Sequence, residues 1–423
     1  MKDLSVSGFG KRLGSNMGTR KKLFFVKPFN RIAACSLYFL ASCSVATSQW
    51  EAQVLPVELQ VGYAVRTLDL SGDSKPDILI ADSKRYVWLE NPTWQVHVIH
   101  STPNAKNDNV CMAPSDIDGD GKMDLAIGHD WQPNNTKSGG EIGWLRSPSD
   151  PRQPWSYIKI AEEPTTHRMN WGDLNRDGRS ELIVLPLKGR NTVAPGFDQV
   201  PVRLLQFEVP SKPESEPWAV RVLDESMHVS HNFEIIETKD EENTEILQAS
   251  YEGATRFTFT KDLKKSIFPQ GAGHQGIAPA RGSSEIRLGH LTGGRTFIST
   301  IEPWHGDQVV VYSRDPKNVE QRGLRRDIID KDLKWGHAVA CANLDSDQED
   351  EIVVGVRDNA EAPHRCGIRI YNLANDKWER TLIEPGQVAV EDMVVADLDM
   401  DGRTDIIAVG RATHNAVIYW NRR

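Results

Sequence analysis

Asp116-Ile117-Asp118-Gly119-Asp120-Gly121-Lys122-Met123-Asp124 is nearly repeated by Asp397-Leu398-Asp399-Met400-Asp401-Gly402-Arg403-Thr404-Asp405. Both stretches put carboxylates at positions 1, 3, 5 and 9 of a tight loop. Clustered oxygen ligands at that spacing suit a hard cation such as calcium. Weaker copies begin at Asp69 (with Ser71, Asp73 and Asp77), at Asp173 (with Asn175, Asp177 and Glu181) and at Asn343 (with Asp345, Asp347 and Glu351). Structural calcium is therefore expected in up to five loops. A self-similar unit of about 50 residues signals a repeat architecture.

Between Asp173 and Asn343 there is room for two more units, and both are present in decayed form. One is Glu237-Thr238-Lys239-Asp240-Glu241-Glu242-Asn243-Thr244-Glu245; the other is His290-Leu291-Thr292-Gly293-Gly294-Arg295. Lys239 and His290 stand where ligands should be, so neither loop is expected to hold metal. A Trp-x-x-x-apolar-apolar segment precedes the loops, as at Trp50, Trp94, Trp218 and Trp378, and imperfectly at Trp155, where Lys159 takes the first apolar place. Leu263 and Leu324 take the place of Trp in the two remaining copies. Two short runs rich in β-branched and aromatic residues follow each loop, for example Asp77–Ala81 and Tyr86–Leu89. Such runs, bounded by Gly, Asp, Asn and Pro, read as strands. Each unit is thus strand A, acidic loop, strand B, strand C and a Trp-bearing strand D. Seven four-stranded units around an axis make an all-β, seven-bladed β-propeller. No strand D follows Tyr419-Trp420, and a spare one lies at Trp50–Leu55. The N-terminal strand is therefore expected to complete the last blade, with residues 47–423 forming one domain. An open solenoid is the alternative.

The chain has 423 residues, 12 Trp and a net charge of −9. Much of the negative charge sits in the acidic loops. No basic stripe with interleaved aromatics appears, which argues against nucleic acid. Residues 1–46 read as an export signal: Arg20, Lys21, Lys22, Lys27 and Arg31 precede an apolar run, Ile32–Leu40, that is too short for a permanent span. Leu40-Ala41-Ser42-Cys43 matches a lipoprotein cleavage box, with Cys43 as the lipidated residue; cleavage near Ala46 is the alternative. The expected location is periplasmic, outer-membrane or extracellular, with membrane contact only through such an anchor. Cys111, Cys341 and Cys366 do not make a disulfide framework. Cys111 and Cys341 are expected to be buried apolar groups of strand A.

In a propeller the acidic A–B loops lie on one face and the D–A and B–C loops on the other. Six residues before each loop start stand Tyr63, Val110, His167, His231, Ser284, His337 and Glu391. Equivalent positions in a closed ring converge on its axis. The next positions include Arg168, Asn232, Glu285 and Asp392, and His228 precedes His231 by three residues. The B–C loops add Trp304, His305, Lys188, Arg190, Arg357-Asp358, Arg411 and His414. Histidine, arginine, carboxylate and tryptophan around one mouth fit a sugar or glycan ligand. A single such histidine is usually a satisfied core group, but three in one register are not. His167, His228, His231, His305 and His337 also offer imidazoles for a transition metal such as zinc, as a second metal at the mouth.

The acidic loops resemble the FG-GAP and VCBS repeats of extracellular propellers, over about residues 50 to 423. Thr166-His167…Trp171-Gly172-Asp173, Met227-His228-Val229-Ser230-His231-Asn232, Glu302-Pro303-Trp304-His305-Gly306, Trp335-Gly336-His337 and Gly410-Arg411-Ala412-Thr413-His414-Asn415 together resemble the propeller domain of the aldos-2-ulose (anhydrofructose) dehydratases. That resemblance implies elimination of water from keto sugars by a lyase that can bind metal ions. The cupin domains of the fungal enzyme are not in these 423 residues, which puts in doubt an isomerase step that depends on them and the carry-over of the full active site. Elimination beside a ketone needs a base, a cation or donor for the enolate oxygen, and an acid for the leaving group. The assignments are His167 as base, His231, His337 and His305 on the keto oxygen or a metal, and Glu391 or Glu285 as acid. Arg168, His228, Glu285, Trp304, Arg411 and His414 would bind substrate. The competing expectation is a non-catalytic, calcium-stabilised adhesion module that binds glycan or protein on a flatter face.

Overall fold

The structure is a computed structural model that describes residues 49–237, 243–259, 264–268, 280–314, 323–357 and 365–423. Residues 1–46, expected from the sequence to be an export signal with Cys43, most of the decayed loop after Glu237, Leu263 and Asp358 lie outside the described residues. Among the described residues, twenty-eight strands form seven antiparallel four-stranded sheets, and Thr292–Gly294 forms a short 3-10 turn. The A strands are Gly62–Leu68, Cys111–Ser115, Thr166–Gly172, Ser230–Glu237, Glu285–Leu291, Gly336–Ala342 and Val390–Ala396. Consecutive A strands touch, and strand A of blade 7 touches strand A of blade 1, so the ring closes. Among the described residues no helix is long and apolar enough to cross a membrane.

Closure comes from the N-terminal strand, as its sequence implies. Trp50–Val54 pairs antiparallel with Ala416–Asn421, aligning Trp50 with Asn421 and Val54 with Val417. Leu55, next along, is 3% exposed and its N–H donates to the Ala416 carbonyl at 2.9 Å. Buried aliphatic and aromatic side chains fill the spaces between blades, as where Ile78, Val87 and Leu89 of blade 1 meet Ile407, Val409 and Ile418 of blade 7. B strands such as Asp77–Asp82 and Glu181–Pro186 are buried at every position, which accounts for their unbroken apolar runs.

The acidic loops share one internal device. The position-9 carboxylate is buried and accepts the N–H of the second loop residue: Asp77 from Leu70, Asp124 from Ile117, Glu181 from Leu174, Glu351 from Leu344 and Asp405 from Leu398. Asp77, Asp124 and Asp405 also accept an N–H from the end of strand C, at Asn91, Ser147 and Asn421. The residue most like a calcium ligand therefore also ties the loop to its sheet. Cys111 and Cys366 are buried and Cys341 half-buried, and none of the three is in a disulfide.

Candidate functional site at the channel mouth

Backbone irregularities aim the mouth residues. The A·B ladder skips one residue in blades 1, 3, 4, 6 and 7. The skipped residues are Tyr63, His167, His231, His337 and Glu391. A bulge adds one unpaired residue and redirects its side chain. In blades 2 and 5 the corresponding Val110 and Ser284 keep backbone bonds to Gly128 and Ile301. Two residues before the bulged histidines the chain turns left-handed, with φ of 58° at Thr165, 38° at Val229 and 58° at Trp335. Positive φ is strained for a β-branched or bulky residue, and such strain collects at functional sites.

Four histidines converge. Ring centroids are 4.7 Å apart for His167 and His231, 4.2 Å for His231 and His305, 5.0 Å for His231 and His337, and 4.5 Å for His305 and His337. His167, His231 and His337 are buried and His305 is partly so. Trp131 stacks on His167 at 5.6 Å, while Trp304 meets His231 edge-on and Trp335 flanks His305. His305 comes from the B–C loop of blade 5. The buried Glu302 anchors that loop by accepting from Thr300, Tyr312 and Arg326. A Cβ on Gly306 would stand 2.3 Å from the Glu302 carbonyl oxygen, so only glycine fits this turn.

Burial pushes all four histidines below the ordinary imidazole range, and His167, His305 and His337 well below it. Arg168 adds to the effect on His167, and Arg357 on His337. Glu285 opposes the shift at His231, its Oε1 lying 2.8 Å from Nδ1, though off the line of an ideal hydrogen bond. Nδ1 of His337 is 2.6 Å from the Glu391 carbonyl oxygen, whereas neither ring nitrogen of His167 has a protein partner. Single donor atoms of His231, His305 and His337 lie within 4.8 Å of one another. Three neutral imidazoles at that spacing, two with Nδ1 against an oxygen, fit a transition-metal site with its outer partners.

The remaining candidates take distinct places. Glu391 accepts from Arg411 at 2.7 Å and lies 3.3 Å from Arg357, whose guanidinium covers Trp335 at 4.4 Å. Arg411 also covers Tyr63. Asn232 donates to Glu285 at 2.6 Å. His228 is held by Glu252 at 2.8 Å and the exposed His414 lies 2.9 Å from the Gln60 carbonyl oxygen. Among the described residues no ring contact joins either to the four histidines. Trp131 and Arg357, both read from the sequence as B–C loop residues of this mouth, belong to it, as does Trp335, to which sequence reasoning gave no specific role. Arg357 directly follows strand B, Glu351–Val356, as Arg411 follows Asp405–Gly410, and that register was the available signal. Four acidic loops keep three carboxylates close together, at Asp116/Asp118/Asp124, Asp173/Asp177/Glu181, Asp345/Asp347/Glu351 and Asp397/Asp399/Asp405.

The fold and repeats define a seven-bladed β-propeller with FG-GAP-like repeats; residues 69–127 match the FG-GAP-like repeat family. More particularly, it is similar to the propeller of aldos-2-ulose dehydratase: residues 139–315, which hold His167, His231 and His305, match the family described as aldos-2-ulose dehydratase, β-propeller domain. Aldos-2-ulose dehydratase of Phanerodontia chrysosporium is 25% identical over 358 residues, covering 76% of this chain and 37% of its own length. The chain thus spans little more than a third of that relative. The solved structure of BBS1N in complex with ARL6DN superposes with TM-scores of 0.53 in mercury-soaked and 0.52 in lead-soaked crystals. Identity is 14%, with 89% of this chain and 98% of that one covered, a likeness of fold alone.

Proposed function

We propose that this propeller is a carbohydrate lyase that eliminates water from a keto sugar at the mouth of its channel. The observation that carries the reading is the cluster of four desolvated histidines walled by tryptophans. His167 takes the proton next to the ketone: it is buried, has both ring nitrogens free of protein partners and is pushed well below the ordinary range by burial first and Arg168 second. A buried neutral imidazole is a base ready to act at neutral pH. His231, His305 and His337 would hold a transition ion such as zinc, which supplies Lewis-acid polarisation of the keto oxygen when bound. Glu391 has both oxygens on Arg357 and Arg411, and Glu285 accepts from Asn232 with its other oxygen 2.8 Å from His231 Nδ1. They are therefore proposed to position the site. His167 would return its proton to the departing hydroxyl, so that the sugar loses one water. Trp131, Trp304 and Trp335 offer faces for the sugar ring.

The acidic loops are proposed to bind calcium and stiffen the blades on the opposite face. The N-terminal segment is proposed to direct export. The likeness to the dehydratase propeller supports the lyase over an adhesion module, as does a buried, convergent site in place of a flat face. The test follows absorbance while purified, metal-loaded protein is incubated with 1,5-anhydrofructose and a panel of 2-keto and 3-keto sugars. A conjugated enone growing in with time is expected. A flat trace from folded protein across the panel would sink the lyase and favour the binding module.

A further inference from the structure

Most charged groups of the mouth and upper channel can be matched one against another. Asp392 accepts from Arg66 at 3.1 Å and from the Val65 N–H at 3.0 Å. Asp108 takes Lys84 and the Tyr63 hydroxyl, both at 2.8 Å. Glu391 is held by Arg357 and Arg411, Glu285 by Asn232 and His231, and Glu252 by His228. Glu163 is held between Arg190 and Arg203. Every one of these carboxylates is taken.

Arg168 remains. It is 5% exposed and its Nη1 donates to the His167 carbonyl at 3.2 Å. Among the described residues no carboxylate lies within ion-pair distance of it. Four of the five donors of a guanidinium are left without a protein partner. A buried cation costs stability unless something supplies its counter-charge. On the same blade Lys188 repeats the pattern. Its ammonium donates to the Pro133 carbonyl at 2.6 Å and to Asn134 Oδ1 at 2.9 Å, both uncharged, and lies over the Phe197 ring. Burial brings it down to about 8, and its charge is felt at His167. One side of the His167 pocket therefore carries positive charge that no carboxylate among the described residues balances.

We propose that the ligand of this mouth is an acidic sugar, a uronate or an aldonate, whose carboxylate is taken by Arg168. The planar fork of a guanidinium matches the two oxygens of a carboxylate, and in a desolvated pocket such a pair is strong and directional. Lys188 adds long-range attraction. The proposal rests on the keto-sugar reading only in taking the ligand to be a sugar; the elimination is a separate claim.

Isothermal titration of the whole protein tests it with matched probes: D-glucuronate against D-glucose, and 2-keto-D-gluconate against D-fructose. At least one acid should bind about tenfold or more tightly than its neutral partner, with a preference that weakens as salt is raised. Arg168→Met keeps the apolar stem and should bring acid and neutral sugar to within about twofold, while Arg168→Lys should restore part of the preference. Whichever pair shows the preference separates uronate from aldonate. Equal binding of acid and neutral sugar by folded protein, binding of neither, preference for a sugar phosphate, or a preference that survives Arg168→Met would each overturn the proposal. The wild-type comparison decides even where a variant fails to fold. An acid that binds yet yields no enone counts against the lyase alone. Elimination of a neutral keto sugar by wild-type protein that shows no acid preference removes this inference and keeps the lyase. Loss of kcat on neutral sugars without loss of acid preference would assign Arg168 to the enolate oxygen instead.

Discussion

His231 and His305 meet edge to face with ring centroids 4.2 Å apart, although one is a bulge residue of blade 4 and the other sits on the B–C loop of blade 5. Burying two imidazoles this close is unfavourable if either is protonated. It is well accommodated if both are neutral and face a common cation. The full-length protein should therefore take up about one equivalent of cobalt(II) or zinc at the mouth at pH 7.5, with the d–d absorption of histidine-bound cobalt as the readout. His231→Ala, His305→Ala and His337→Ala should each abolish that signal. Glu285→Gln should weaken uptake by about 10- to 100-fold, as loss of an outer partner does elsewhere. Full cobalt absorption in the His305→Ala protein would exclude this ligand set.

His167 stands outside the three-histidine set but 4.7 Å from His231. If it is the base, His167→Ala should lower kcat by about 10²- to 10⁴-fold and leave metal content unchanged. The pH profile carries a second signature. The ring must be neutral to accept a proton, and burial holds its titration well below the ordinary value of 6.5. Activity should therefore persist below pH 6.5, where an exposed histidine would already be protonated. An acid limb centred at the ordinary value, or unchanged kcat in His167→Ala, would remove His167 from the role.

The blade count, the closing strand and the in-register histidines were legible because each follows from a period. The segment that carries Trp in five units and Leu in two recurs in step with the acidic loop, so a decayed copy such as His290–Arg295 is still found by position. In five of the seven blades the residue six places before the loop proved to be the bulge, which a single sequence cannot reveal because a bulge changes pairing and leaves composition untouched. His228 and His414 look equivalent to the others in sequence, yet the structure gives them to Glu252 and to the Gln60 carbonyl oxygen. Which acceptor lies nearest is set by loop geometry. The pairing of Glu391 with both Arg357 and Arg411 joins three segments distant in sequence, and no local pattern announces it.

The acidic loops predict a stability that depends on both calcium and pH. Burial raises Asp124 and Asp405 to about 6 and Glu351 to about 7, and raises Asp77 and Glu181 as well. With calcium chelated, the folded chain holds these protons more tightly than the unfolded chain, whose carboxylates titrate near 4. Their contribution to stability is complete below about pH 4 and is lost as pH rises through about 6 to 7. Calcium acts in the opposite sense, because it needs the deprotonated carboxylates. The gain in melting temperature on adding calcium should therefore be small at pH 5 and large at pH 8. Asp124→Asn should diminish that gain. No calcium-dependent shift at pH 8 would show that the loops hold themselves together by their backbone bonds alone.

Closure by the N-terminal strand makes the last prediction. Trp50–Val54 supplies the outer strand of blade 7, and Leu55 plugs the seam between blades 7 and 1 beside Val409 and Ile418. Leu55→Ala leaves a cavity at that seam and should cost about 2–4 kcal/mol. Deleting residues 49–55 removes the whole strand and leaves Ala416–Asn421 as an unpaired edge carrying the buried Tyr419 and Trp420. Exposed apolar edge strands pair with other chains. The deleted protein should therefore melt at lower temperature and self-associate in size-exclusion chromatography, while Leu55→Ala should remain monomeric at low temperature if the intact protein is. Thermal melts of the two variants beside the intact chain separate the seam from the edge. An unchanged melting temperature in the deleted protein would mean that the ring is held by the A-strand contacts around the axis and does not need its outer latch.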